Sequence, residues 1–351
     1  MSFSLPGFPR DPWTRPPPVV DPDLPSTSDD GLFGLAHRPE EARLLVFPVP
    51  YDATVSGAEG TRRAPEIVVA ASSEIDLADG LFGEPWKQGL ASLGVCSEIA
   101  ELSKASAQKA AEARRGDLGA REAVDAAGHR LWEFIEQTCR RIWDGQRSVI
   151  VLGGEHGISY GAIRAAAARE PGLGVLQVDA HADLRRAYEG FETSHASVMR
   201  RVLEEQKVAR LVQVGARDLS VEEREVIRSS GSRLISYEDD LLAARQADGE
   251  AFAAIADEIV GALPEKVWVS FDVDGLDPSL CPGTGTPVPG GLSWRESRLL
   301  LSRLQRSGRS VIGADLVEVG TSRWDALVAA KVLYQLAGMI LGETRRNPRS
   351  A

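Results

Sequence analysis

Eight short apolar runs, separated for the most part by amphipathic stretches, constrain this chain more than any other feature. They are LLVFPV (44–49), LASLGV (90–95), SVIVLGG (148–154), LGVLQVD (173–179), ARLVQVG (209–215), RLISY (233–237), KVWVSFDVD (266–274) and SVIGADLVEV (310–319). Runs this short, nearly continuous in Val, Ile and Leu, suit strands buried on both faces. Helical patterns fall between them at 62–71, 105–145, 158–169, 195–206, 221–230, 250–262, 293–306 and 323–341. Strand–helix alternation of this kind predicts a mostly parallel, about eight-stranded sheet covered by helices on both faces. Residues 1–42, rich in Pro, Asp and Ser, read as an extended arm, and 43–345 as a single domain with a helical insertion near 96–130.

In such sheets ligands sit beyond the C-terminal strand ends, at the crevice where the chain order reverses. The polar residues of this chain collect there. The third run ends in Glu155-His156-Gly157, the fourth in Asp179-Ala180-His181-Ala182-Asp183, the seventh in Asp272-Val273-Asp274, and the eighth in Asp315-Leu316-Val317-Glu318. Alternate residues of a strand share a face, so Asp179, His181 and Asp183 can converge, as can Asp272 and Asp274. Buried carboxylates without a matching set of Lys or Arg need another source of positive charge, and divalent metal supplies it. Four Asp and two His without Cys suit Mn²⁺, and less well Zn²⁺ or Ni²⁺. Six ligands exceed one tetrahedral ion and suffice for two ions if one or two Asp bridge. A lone Asp-x-Asp in a strand is usually structural. The joint pattern is harder to dismiss, because three of the five histidines (156, 181 and 195) lie in these motifs or directly after them.

Charge and cysteine content narrow the classes further. Forty basic against 51 acidic residues give a net charge of −11, which disfavours nucleic acid or an anionic membrane as partner. Cys96, Cys139 and Cys281 are widely spaced and form no CxxC pair, so they read as core fillers. No run approaches the ~20 apolar residues of a membrane helix, and no signal-like start is present, so the cytoplasm is the expected location. Asp277, before Pro278, reads as a turn former, and His37 and His129 as solvated residues.

The ordered set GGEH, DAHAD, SFDVDGLDPS with GTGTPVPGG, and DLVEV resembles the ureohydrolases, the family of arginase, agmatinase, guanidinobutyrase and formiminoglutamase. EGFETSHASVMRR (189–201) and YDATVSGAEGTRRAPEIV (51–68) are similar to its agmatinase-like branch. The resemblance covers about residues 43–341. It implies a three-layer α/β/α sandwich, a homo-oligomer (trimer or hexamer), and two Mn²⁺ per chain, with Ni²⁺ as the alternative. One ion would be held by His156, Asp179, Asp183 and Asp272, the other by His181, Asp179, Asp272 and Asp274. The family's catalytic histidine falls on His195, its guanidinium-binding glutamate on Glu318 and its active-site threonine on Thr286. Asp274 would accept a proton, and His195 would titrate near neutrality and shuttle protons to solvent.

The implied reaction cleaves a small cationic guanidino compound to urea and an amine, agmatine to putrescine before others. Arginase has an Asn where this chain has Arg185 and a carboxylate where it has Ser220, and both departures argue against an α-amino-acid head. Arg185 and Arg186 could instead bind the carboxylate of a guanidino acid, as in a guanidinobutyrase, although salt-bridged scaffold is the preferred reading of both. Free guanidine and formimino substrates are further alternatives. Gly157, a serine in arginase, could leave extra room or remove a hydrogen bond near the metals. Two rivals come from other classes. A phosphoesterase would not require Glu318, and a non-catalytic relative would be expected to lose some of the ligand set. Gly153-Gly154 lacks the GxGxxG or Walker pattern of a nucleotide site.

Overall fold

A computed structural model describes residues 31–342. All eight apolar runs form strands: β1 (Leu44–Val49), β2 (Leu90–Ser92), β3 (Ser148–Gly153), β4 (Leu173–Val178), β5 (Val208–Val214), β6 (Leu234–Tyr237), β7 (Lys266–Asp272) and β8 (Ser310–Val317). They pair in one sheet, every neighbour parallel, in the order β2-β1-β3-β8-β7-β4-β5-β6. The four motif-bearing strands, scattered along the chain, thus become four adjacent strands at the centre of the sheet. Their C-terminal ends open onto one crevice.

Alternation along each strand feeds two cores. Leu44 and Val46 of β1 face one side, with α1 (Ala64–Ser72), α8 (Phe252–Ala262), α9 (Trp294–Arg306) and α10 (Arg323–Leu341). Leu45, Phe47 and Val49 face the other, with α2 (Ser97–Arg114), α3 (Leu118–Asp144), α4 (Ser159–Arg169) and α5 (Val198–Glu204). Two further helices, α6 (Val221–Ser229) and α7 (Asp239–Ala247), flank β6 in the chain. The result is the three-layer α/β/α arrangement. Helix α10 is long and apolar enough to cross a membrane by length and composition alone, contrary to the sequence expectation. It is a core helix, with 78% of that window buried.

Three expectations need adjustment. The helical stretch 105–145 is two helices, α2 and α3, not one. Gly116, at φ 104°, leaves the helical path, and Asp117 caps α3 by accepting from Ala120 N at 3.0 Å. The expected arm ends early: Leu32, Phe33 and Leu35 are buried in the core, and Phe33 N donates to Ser72 Oγ. The remainder of the arm, 1–30, and residues 343–345 lie outside the described residues. His37, expected to be solvated, is half-buried, and its Nδ1 lies 3.4 Å from Leu90 N.

Candidate metal centre

His156 opens a single 3₁₀ turn directly after β3. Its ring is buried, and Nδ1 faces three carboxylate oxygens: Asp179 Oδ2 at 3.0 Å, Asp183 Oδ2 at 3.0 Å and Asp272 Oδ2 at 3.4 Å. The opposite nitrogen, Nε2, lies 2.8 Å from Ser270 Oγ, which donates to Asp315 Oδ1 at 2.8 Å. That hydroxyl proton is committed to Asp315, so Ser270 Oγ accepts, and the imidazole proton belongs on Nε2. The Nδ1 lone pair then points at three carboxylates and has no hydrogen-bond partner. A lone pair against three anionic oxygens is repulsive unless a cation lies among them. The donor set therefore fits a divalent ion.

A second group adjoins the first. His181 Nδ1 lies 2.9 Å from Asp274 Oδ2 and 3.6 Å from Asp179 Oδ1. Asp179 stands in both groups, while Asp272 gathers with His156 and Asp179. Backbone amides fix the carboxylates: His181 N donates to Asp179 Oδ1 at 2.6 Å, Ala180 N to Asp274 Oδ1 at 2.9 Å, and Asp274 N to Asp272 Oδ1 at 2.9 Å. Gln177 Nε2 adds a bond to Asp179 Oδ2. Asp183 holds a left-handed φ of 54°, a strained conformation for a non-glycine residue.

The charges express the same demand. Burial and the neighbouring carboxylates push Asp272 and Asp274 up, and burial with Asp179 pushes Asp183 up to about 7. Against burial, the two histidines hold Asp179 well below the usual carboxylate range. His156 and His181 are raised by the acids around them despite burial, His181 to about 12. The cluster resists its own negative charge and draws in positive charge.

Glu318 follows β8, also at a left-handed φ of 59°. Its N donates to Gly154 O, its carbonyl accepts from Thr284 Oγ1, and its Oε1 accepts from His156 N at 2.7 Å. The carboxylate is pinned on one oxygen at the wall of a narrow cleft. That cleft is lined also by His156, His181, Asp183, Asp272, Asp274, His195 and Thr286, with Val55, Ser56 and Gly57 on one wall. Gly57 is required there, since a Cβ would meet Gly285 O at 2.1 Å.

His195 departs from the sequence expectation. Burial first, then the charges of His181 and His156, lower its pKa to about 4, so it is neutral at pH 7. Its Nε2 lies 3.4 Å from Ser56 Oγ, and its backbone N donates to Thr54 Oγ1 at 3.3 Å. Thr54 in turn donates through N and Oγ1 to the buried Glu155 at 2.7 and 2.8 Å. Sequence reasoning missed Thr54, Ser56, Ser270 and the positioning role of Glu155. The available signal was adjacency: Glu155 precedes a ligand, and Ser270 shares the strand face of Asp272.

Arg185 is not brought to the cleft. Its Nε lies 3.9 Å from Glu223 and its guanidinium stacks over Tyr188. Ser220 is also committed: it caps α6 in a reciprocal box with Glu223. Asp277 accepts from Ser279 N and Oγ, which makes it a turn former. All three cysteines are buried.

Gly157 leaves no extra room, because a Cβ there would lie 2.9 Å from Thr193 O and 3.2 Å from His195 N. Gly157→Ala therefore pushes the His195 turn outward. Turnover should fall by about tenfold or more while metal content holds, as kinetics and elemental analysis of the same sample would report. Unchanged turnover would mean that the position of this turn does not matter to the reaction.

An α/β/α fold with two adjoining His/Asp groups at its central strand ends defines a metal-dependent hydrolase type of site. Residues 42–338 match the model of the arginase family. An N(1)-aminopropylagmatine ureohydrolase of Thermus thermophilus is 35% identical over 311 residues, covering 88% of this chain and 94% of that protein. Its counterpart in Synechocystis sp. is 33% identical, covering 87% and 91%. The crystal structure of agmatine ureohydrolase of Thermoplasma volcanium superposes with a TM-score of 0.69 at 25% identity, covering 91% of this chain and 94% of that one. The chain belongs to the arginase family. It is a ureohydrolase of that family, whose members depend on a binuclear metal site.

Proposed function

We propose that this enzyme hydrolyses an amine-tailed guanidino compound, agmatine first, to urea and the corresponding amine, with two Mn²⁺ in the site. The observation that carries the reading is the placement of Glu318: a buried carboxylate with one oxygen pinned by His156 N, set beside both His/Asp groups. Four observations support the choice of substrate end. Ser220, where an arginase carboxylate would receive an ammonium group, has its hydroxyl committed to a helix cap. Arg185, which could have bound a guanidino acid, is turned toward Glu223 and Tyr188. The net charge of −11 also favours a cation. Relatives named for aminopropylagmatine and agmatine agree with an amine tail.

The roles follow from position. His156, Asp179, Asp183 and Asp272 would hold one ion, and His181, Asp179, Asp272 and Asp274 the other. When bound, such a pair lowers the pKa of water toward neutrality and makes hydroxide available. Glu318 pairs with the guanidinium and fixes its carbon over the cluster. Neutral His195, with Ser56 Oγ beside Nε2, offers hydrogen-bond acceptors to the guanidinium N–H groups. Oxygen adds to the guanidino carbon, its proton passes by way of Asp274 to the leaving nitrogen, and the C–N bond to the tail breaks. Contact of the 54–58 loop with Gly285, where Ala58 N donates to Gly285 O, narrows the site against bulk water.

Urea release should be measured after loading with Mn²⁺ and, in parallel, Ni²⁺. The panel is agmatine, N(1)-aminopropylagmatine, 4-guanidinobutyrate, arginine and free guanidine, with Asp272→Ala as control. The amine-tailed members are expected to lead. Arginine or guanidinobutyrate ahead of them would overturn the substrate assignment, and no urea from any member would overturn the reaction.

A further inference from the structure

Two walls of the cleft, the 54–57 loop and the segment that carries His195, meet at a residue outside the site. Arg114 is the last residue of α2. Its Nη2 donates to Val55 O at 2.8 Å and Thr54 O at 3.4 Å, while Nε donates to Glu189 Oε2 at 2.6 Å. Glu189 and Gly190 form the two-residue tip of a tight hairpin in which Tyr188 and Phe191 exchange backbone hydrogen bonds. Both tip residues have positive φ, 51° and 88°, which is strained for glutamate. The hairpin leads directly into Thr193, Ser194 and His195, and the Tyr188 ring stands edge-on to His195 at 5.8 Å.

The same helix pair seats the hairpin from below. Phe191 is fully buried among Ala110, Ala113, Ala120 and Val124 of α2 and α3, and the Arg114 guanidinium lies over its ring. Asp125 of α3 accepts from Thr193 N and Oγ1, both at 3.0 Å. The 54–57 loop is tied at its ends, by Glu155 to Thr54 and by Gly285 to Ala58. Between those ties Val55 is held through its carbonyl by Arg114 alone among the described contacts.

We propose that Arg114 is a positioning residue that sets the width of the cleft mouth, and so the tails the enzyme accepts, by tying the 54–57 loop to the 188–191 hairpin. One fork-shaped cation satisfies two carbonyls and a carboxylate at once. A lysine offers a single ammonium point and cannot hold all three in the same geometry. This inference deepens the proposed function and rests on it for its kinetic readout.

The test uses the metal-loaded full chain with Arg114→Ala and Arg114→Lys. In the alanine variant KM for agmatine should rise on the order of tenfold, the equivalent of one charge-assisted hydrogen bond, with metal content unchanged and kcat falling less. Preference should shift from agmatine toward its longer aminopropyl derivative, and the lysine variant should restore part of both effects. Hydrogen–deuterium exchange should rise at 54–58 and 187–191 and nowhere else. An active wild type whose variants keep the same KM and the same preference would overturn the proposal. Should the wild type release no urea from any guanidino compound, the proposed function fails, and exchange alone decides Arg114: no rise in those two segments overturns its role.

Discussion

Asp179→Asn is expected to abolish metal binding at both positions and, with it, turnover. Asp179 is the residue common to the two His/Asp groups, with one oxygen 3.0 Å from His156 Nδ1 and the other 3.6 Å from His181 Nδ1. The amide keeps the size and an acceptor for His181 N but removes the charge that both positions share. Bound metal should fall from about two ions per chain to less than one, since neither remaining set holds enough anionic oxygen to repay dehydration of a divalent cation. Urea release should fall by roughly 10³-fold or more, because free water, with a pKa of about 15.7, supplies almost no hydroxide at neutral pH.

Stability separates this outcome from simple misfolding. The metal-free cluster is strained by its own carboxylates, with Asp179 among the groups that push Asp183, Asp272 and Asp274 up. Removing that charge relieves the repulsion but also loses the pairing with His156 and His181, so the two effects oppose and the metal-free fold should change little in stability. Metal at 100 times its dissociation constant adds about 2.7 kcal/mol to the wild type, roughly 4 °C in Tm for a domain of this size. The variant should show no such rise. A variant that still binds two ions and still gains Tm would show that Asp179 does not join the two positions.

Much of this centre is legible in the sequence because strand ends concentrate it. Apolar runs fix where each strand stops, and charged residues at or just past those stops reach the crevice, as at Asp179, Asp272 and Glu318. The legible part ends where contacts are non-local and polar. Thr54 and Glu155 are 101 residues apart, Thr54 and His195 are 141 apart, and no periodicity announces either bond. The neutrality of His195 comes from burial by loops that the sequence reading could not dock. Helix α7 was missed for a different reason: Leu242 is its one buried residue, too thin an apolar stripe to register. The end of the N-terminal arm was misread because Leu32, Phe33 and Leu35 pack without any helical or strand period. Arg185 shows the same limit from the other side. Its place beside the ligand motif allows either a substrate contact or a scaffold ion pair, and only the fold brings up Glu223, 38 positions along the chain, and Tyr188 to favour the scaffold.

Glu318→Gln should separate substrate positioning from metal binding. Glu318 belongs to neither His/Asp group, so metal content and the metal-dependent gain in Tm should match the wild type. The glutamine Oε1 can still accept from His156 N, which preserves the anchor and the left-handed backbone at 318. What disappears is the negative charge that a guanidinium would meet. Loss of a charge-assisted pair at the reacting carbon, compounded by misorientation, should lower kcat/KM by about 10²–10³-fold.

The pH dependence carries the sign of the same interaction. Burial, with Glu155 and Asp274 nearby, pushes the Glu318 carboxyl well above the usual range, so its charged form is costly until a cation arrives. A guanidinium favours the carboxylate, so binding expels a proton and affinity weakens as pH falls below that raised value. Wild-type KM should therefore rise on acidification, and Glu318→Gln should flatten that slope. A glutamine variant with normal urea release, or one whose KM keeps the wild-type slope, would place the guanidinium against some other group and leave Glu318 as a brace for His156.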